Sequence, residues 1–196
     1  METVIHTFTT PLSEDRAFQL PRRSHNQAWR GEELSSPFEW GLALDPTSLW
    51  FVARIPAVAA SSCVRRKGHF VEGLWESDVA ELFLRDAHGR YQEFNISADG
   101  AWWSMTFSNY RERHSKPRRP VKTAIAVRHD AASWMAVLGI EIQTLDVSLR
   151  EPLQAHVSGI LYGAAEPLYL TSCPQPNFAP DFHDPRCFSA VVLKSA

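Results

Sequence analysis

The chain reads as an all-β protein, an antiparallel β-sandwich of jelly-roll-like arrangement with little helix. Two observations predict this. Short segments of alternating apolar and polar residues follow one another closely, separated by Gly, Pro, Asp and Asn, and almost nothing recurs at helical period. The clearest of them, residues 74 to 111, reads as a meander of three strands joined by the turns Asp86-Ala87-His88-Gly89 and Ala98-Asp99-Gly100. At 196 residues, 44% hydrophobic and 21% charged, the chain fits one globular domain over residues 1–196.

In chain order, Val4, His6 and Phe8 alternate as an edge strand, and Ser13-Glu14-Asp15 with Arg16-Ala17-Phe18 allows one short helix. Residues 37 to 55 read as two strands around Asp45-Pro46-Thr47, the second rich in aromatic and β-branched residues. Residues 57 to 69, with the basic run Arg65-Arg66-Lys67, read as a loop or short helix. No aromatics interleave with that run, so it is a solvated rim rather than a nucleic-acid site. Residues 111 to 120, basic and proline-bearing, read as a loop; 121 to 128 and 134 to 142 form a second hairpin; 144 to 149 allow one helical turn. Residues 155 to 163 and 168 to 172 form a third hairpin, 173 to 185 a proline-rich excursion able to wall a site, and 188 to 193 the closing strand.

Alternation assigns faces within the meander. Phe94 and Ile96 point one way, and Tyr91, Glu93, Asn95 and Ser97 the other. The next strand splits into Ala101, Trp103, Met105 and Phe107, read as core, and Trp102, Ser104, Thr106 and Ser108, read as outward. The first strand is mixed, and a bulge near Asp78 would reconcile it. Paired as hairpins, Glu81, Glu93, Asn95 and Trp102 then share one face, hydrogen-bonding groups beside an indole, a combination suited to a sugar ring.

A net charge of −2 supplies no field for nucleic acid or an anionic membrane, and no apolar run approaches the roughly 20 residues of a membrane span. The first residues have neither a basic n-region nor an apolar h-region, which makes the cytoplasm the expected location. Three cysteines, Cys63, Cys173 and Cys187, match neither a zinc ribbon nor a redox pair, so reduced thiols and no metal are expected. A Cys173–Cys187 disulfide would follow only from export.

The runs LWE (Leu74 to Glu76), ELFL (Glu81 to Leu84), YQEFNIS (Tyr91 to Ser97), DGAW (Asp99 to Trp102), FSNYR (Phe107 to Arg111) and PDFH (Pro180 to His183) resemble the DOMON-like bacterial domains, relatives of the family 9 carbohydrate-binding modules. The resemblance spans most of the chain and implies a β-sandwich that binds sugars in some members and haem in others. Before PDFH the family shows an aromatic pair ending in tryptophan, then a histidine. Here Leu168, Tyr169 and Cys173 occupy that stretch. No axial methionine and histidine pair is readable, Met105 being placed on a core face, so no cofactor is expected.

The candidate ligand-binding set is Trp75, Glu76, Glu81, Glu93, Asn95, Trp102, Tyr110, Arg111, Asp181 and His183, with no catalytic residue assigned. Each has a structural competitor: core packing for the tryptophans and Tyr110, ion pairs with Arg111 for the carboxylates, loop hydrogen bonds for Asp181 and His183. Three functions follow. A non-catalytic small-ligand domain, binding a saccharide, stands first. A glycosidase-like hydrolase using two of Glu76, Asp78, Glu81 and Glu93 would need carboxyls roughly 5–9.5 Å apart across an open cleft. An interaction domain with a vestigial cleft is the third. Serine-hydrolase, P-loop, Rossmann and zinc-protease motifs are missing.

Overall fold

The computed structural model describes residues 2–59, 67–114, 121–150, 152–162, 166–175 and 177–196. Its strands are β1 (Thr3–Thr7), β2 (Arg23–Gln27), β3 (Glu33–Leu44), β4 (Ser48–Ile55), β5 (Val79–Arg85), β6 (Tyr91–Ser97), β7 (Trp102–Asn109), β8 (Glu112–Arg113), β9 (Thr123–His129), β10 (Trp134–Glu141), β11 (Gln154–Leu161), β12 (Leu168–Thr171) and β13 (Ser189–Ser195). The helix α1 (Glu14–Ala17) is one turn, started by Ser13, whose hydroxyl accepts the Arg16 N–H. Among the described residues no helix is long and apolar enough to cross a membrane.

The strands run in one hydrogen-bonded path, β8-β7-β6-β5-β11-β13-β1-β3-β4-β10-β9, with β12 on β11 and β2 on β3. The path folds back on itself. Ala80, Leu82 and Leu84 of β5 and Phe94 and Ile96 of β6 share one buried cluster with Phe51 and Ala53 of β4 and Trp134, Ala136 and Leu138 of β10, which makes two facing layers with the main core between them. A second cluster covers the far face of the β4, β10 layer: Trp50, Val52 and Val137 pack beneath Leu12, Ala17, Phe18 and Leu20. A third covers the far face of the β5, β6, β7 layer, beneath Phe182, Cys187 and Phe188.

β1 joins the two halves. It pairs parallel with β13, Thr3↔Val191 to Thr7↔Ser195, and parallel with β3, Ile5↔Leu42 to Thr7↔Leu44. It is therefore an interior strand, not the edge strand its alternation predicts, and it makes an otherwise antiparallel sandwich mixed. Alternation reports which side chains are buried, and Ile5 is; it carries no information about how many partners the backbone has. The three hairpins β3-β4, β9-β10 and β11-β12 stand where the sequence predicts them. β2 and β8, short and polar, were not readable, and the helical turn expected at residues 144 to 149 falls earlier, at Ile142–Thr144. The basic run Arg65-Arg66 and most of the loop before Pro120 lie outside the described residues.

The meander itself forms, with three corrections. Leu74–Glu76 is a 3-10 turn, so the strand starts only at Val79 and pairs without a bulge through Arg85. The turn after β6 sets the register Ile96↔Trp102, Asn95↔Trp103, Glu93↔Met105 and Tyr91↔Phe107. Opposed residues of an antiparallel pair project to the same face. Trp102 therefore joins Phe94 and Ile96 in the core between the layers, and Trp103, Met105 and Phe107 join Glu93 and Tyr91 on the other face, the reverse of the assignment by alternation. Both parities of β7 begin with a tryptophan and both faces of this layer are covered, so the pattern within one strand cannot orient it.

Candidate functional site

The far face of the β5, β6, β7, β11 layer carries a cavity of about 290 Å³. Its floor and walls come from the sheet, Glu81, Phe83, Glu93, Trp103, Phe107 and Ile160, with Tyr169 from β12. Trp75 from the 3-10 turn, Arg111 and Arg113 from the β7-β8 region and Pro180 to His183 from the C-terminal excursion close it. The sheet supplies rigid positions, and the excursion supplies a roof.

Two carboxyls lie at the floor. Glu81 and Glu93 are diagonal neighbours, since Glu81 opposes Asn95 and Glu93 opposes Phe83 across β5 and β6. Both are fully buried. Ser158 donates its hydroxyl to Glu81 Oε2 at 2.8 Å, and Asn95 donates Nδ2 to Glu93 Oε1 at 3.0 Å. Burial pushes Glu81 up to about 7 and Glu93 well above the usual carboxyl range, the latter reinforced by the charge of Glu81. At neutral pH the pair therefore holds a proton, which turns one of two acceptors into a donor. Asn95, wholly buried beside them on the same face, leaves its Oδ1 without a partner.

A hydrogen-bond chain links the floor to the roof. The Arg111 N–H donates to the Tyr91 hydroxyl at 3.0 Å, and that hydroxyl shares a hydrogen bond of 2.8 Å with His183 Nδ1. The other ring nitrogen, Nε2, faces Glu93 Oε2 at 3.8 Å. Burial, with the charge of Arg111, lowers His183 to about 4, so the ring is neutral. Arg111, at φ 54 in the left-handed region, reaches the roof instead of the floor: its guanidinium donates to Asp181 Oδ1 at 2.8 Å, and Tyr110 donates its hydroxyl to Asp181 Oδ2. The ion pair between Arg111 and Glu93 anticipated from sequence does not form; Asp181 is the partner.

The aromatic wall is built on Trp75 and Trp103, edge to face with ring centroids 4.7 Å apart. Arg113 lies over both rings, 5.3 and 5.5 Å from their centroids, and is held by Glu72 at 3.0 Å. Glu72 also accepts the Trp103 indole N–H at 2.7 Å. Trp75 is half-buried and presents the accessible ring, whereas Trp103 is only 1% exposed and fixes it from behind.

Of the predicted residues, Trp75, Glu81, Glu93, Arg111, Asp181 and His183 line the cavity. Asn95 lies beside its floor and Tyr110 braces its roof. Glu76 is exposed on the 3-10 turn and takes no place in the lining, and Trp102 is on the opposite face of the sheet, its indole N–H donating to the Gly68 carbonyl at 3.1 Å. Sequence reasoning missed Trp103, Phe107, Arg113 and Tyr169, and also Phe83, Ile160, Pro180 and Phe182; applying the turn-defined register to the meander would have recovered the first two. Among the described residues no group of three or more His, Cys, Asp or Glu side chains is placed to hold a metal ion.

No family model matches this sequence, and no curated protein is similar to it in sequence. Solved structures are similar in shape. A candidate carbohydrate-binding protein from Bacteroides uniformis matches with a TM-score of 0.70 at 13% identity, over 98% of this chain and 99% of its own. A family 9 carbohydrate-binding module from Caldicellulosiruptor kristjanssonii in complex with cellotriose matches with a TM-score of 0.64 at 10% identity, over 100% of this chain and 95% of its own. The chain has the fold of a family 9 carbohydrate-binding module. The same fold in complex with glucose, also from Caldicellulosiruptor kristjanssonii, matches with a TM-score of 0.60 at 10% identity, over 100% and 97% of the two chains. In this fold Tyr169 of β12 brings a further aromatic ring to the cavity.

Proposed function

We propose that the protein is a non-catalytic, DOMON-like domain that binds a small saccharide in the cavity over Glu81 and Glu93. The observation that carries this reading is the juxtaposition of an accessible indole, Trp75, with a floor of fixed hydrogen-bonding groups in a cavity of about 290 Å³. A pyranose has an apolar face for the ring and equatorial hydroxyls for the floor, where the shared proton lets Glu81 and Glu93 both accept and donate. The volume falls at the low end of the range of about 300–1,000 Å³ usual for small-molecule pockets, which favours one or two sugar units over a long polymer segment. Family 9 modules of the same fold in complex with cellotriose and glucose support the choice of ligand class.

The raised Glu81 gives the hydrolase reading its one point in favour, because a general acid needs such a carboxyl. Against it, Glu81 and Glu93 lie on adjacent strands of one wall, bound to Ser158 and Asn95, whereas acid and base must flank the scissile bond. Isothermal titration with glucose, cellobiose and cellotriose, followed by chromatography of the recovered sugar, tests the proposal. Saturable heat with intact sugar is expected. No heat with any of these or with a broader glycan array would refute it, and released monosaccharide would move the protein to the hydrolases.

A further inference from the structure

The roof over the cavity begins and ends on a thiol. Cys173 follows β12, and Cys187 ends the 3-10 turn Pro185–Cys187 ahead of β13. β12 and β13 pair with one and the same strand, β12 with Ser158 to Leu161 and β13 with Gln154 and Ala155 of β11. That shared neighbour brings the two cysteines to the wall of one cavity, with Cys173 Sγ against the carbonyl of Arg186, the residue before Cys187. Cys173 Sγ accepts the Gln175 Nε2–H at 3.4 Å and lies 3.7 Å from the Arg186 carbonyl oxygen, while Cys187 Sγ lies 3.9 Å from that of Asp181. A second cavity of about 250 Å³, sharing no lining residue with the first, opens on both cysteines, and its charged lining is Arg23 and Arg186 against Glu2.

We propose that Cys173 and Cys187 are a redox-active dithiol, oxidised through this second cavity by a low-molecular-weight disulfide such as oxidised glutathione, and that the bond they form locks the roof of the binding cavity. The cavity gives an approach to both cysteines, and of its two guanidiniums Arg186 is held by the Asp184 carboxylate. In the first step the Cys173 thiolate attacks one sulfur of the external disulfide, forming a mixed disulfide and expelling one thiolate. Cys187 then gives up its proton and attacks Cys173 Sγ, forming the internal disulfide and expelling the second thiolate. Two protein thiols are oxidised and one external disulfide is reduced to two thiols.

The division of labour follows from the contact between the sulfurs. The neighbouring Cys187 side chain lowers the Cys173 thiol to about 6, which favours Cys173 as the attacking sulfur. The neighbouring Cys173 sulfur and burial push Cys187 up, and the first of these is relieved once Cys173 is tied up in the mixed disulfide, which frees Cys187 to resolve it. Cys173 is partly exposed and Cys187 buried, which fits attacker and resolver.

The test uses the full chain carrying Cys63→Ser, which leaves these two thiols alone, treated with oxidised glutathione at neutral pH. Loss of both titratable thiols is expected, with an intact mass lower by two hydrogens, no retained glutathione and slower hydrogen exchange across residues 174 to 186. Cys187→Ser should instead stop at a stable glutathione adduct on Cys173. Two surviving thiols, a lasting adduct in the parent or an adduct on neither cysteine of the single variants would overturn the dithiol, and unchanged exchange would overturn the lock. Circular dichroism confirms that each variant is folded, with Cys187→Ala replacing Cys187→Ser if the hydroxyl is not tolerated.

Discussion

Alanine at Trp102, Trp103 or Trp75 separates packing from recognition one residue at a time. Trp102 belongs to the core between the layers, so Trp102→Ala should cost about 3–5 kcal/mol in urea denaturation while the folded protein still binds sugar. Trp75→Ala removes a half-buried ring at the cavity wall; its stability should stay within about 1 kcal/mol of the parent while sugar affinity falls roughly tenfold or more by titration calorimetry. Trp103→Ala should lose both, because that ring buttresses Trp75 and anchors on Glu72. The floor carboxyls make a pH prediction. Glu81 is raised to about 7 in the folded protein, so as pH rises from its ordinary value near 4.5 the unfolded chain ionises first and stability is lost through pH 7. Glu81→Gln keeps the hydrogen-bonding shape without the charge, and its stability relative to the parent should therefore rise between pH 5 and pH 8, by on the order of 3 kcal/mol. His156, wholly buried and lowered to about 4 by burial, acts in the opposite sense: its contribution is complete above pH 6.5 and is lost as pH falls toward 4.

The β3-β4 hairpin shows how one turn residue organises an element. Asp45 accepts the N–H groups of Leu12, Thr47 and Ser48 at 2.8, 2.7 and 2.8 Å and the Trp50 indole N–H at 2.7 Å. Burial works against its charge, but these donors prevail and hold it below the usual carboxylate range. The carboxylate thus ties the turn to the segment that leads into α1 and locks Trp50 over the outer face of its sheet. Asp45→Ala removes the acceptor of five donors, the Thr47 hydroxyl included, and should cost on the order of 3 kcal/mol in thermal or urea unfolding. The support in the parent is complete above the ordinary Asp range and is lost as pH falls from there through the lower value of the folded state. Trp50 has a second constraint: a Cβ at Gly139 would sit 2.6 Å from its ring, so Gly139→Ala should destabilise by about 1–3 kcal/mol, checked by the same measurement. The Asp45 turn was legible because Asp-Pro-Thr between alternating runs has a specific turn chemistry. The close approach at Gly139 was not, since β10 and β4 meet only through their register.

Across the molecule, β1 is the seam. It is the strand through which β13 and β3, and so the two layers, connect in the hydrogen-bonded path. Deleting residues 2 to 8 would leave two long unpaired strand edges and uncover Val191 and Leu42, and the truncated chain should lose its cooperative unfolding transition and aggregate in light scattering. The sequence alone determined the fold class, the three hairpins and six of the lining residues of the cavity, because turn residues and period-2 alternation are local and act within a few positions. It also picked out residues 173 to 185 as a wall, since a proline-rich stretch between strands has no partners of its own. What it left open is what long-range pairing decides. The parallel seam at β1, the face that Trp102 and Trp103 each take, the union of Arg111 with Asp181 instead of Glu93 and the meeting of Cys173 with Cys187 all depend on which strands lie side by side and in which register. A shift of one residue in register exchanges every side chain between faces while leaving the local pattern unchanged, and that is why only the tertiary structure assigns them.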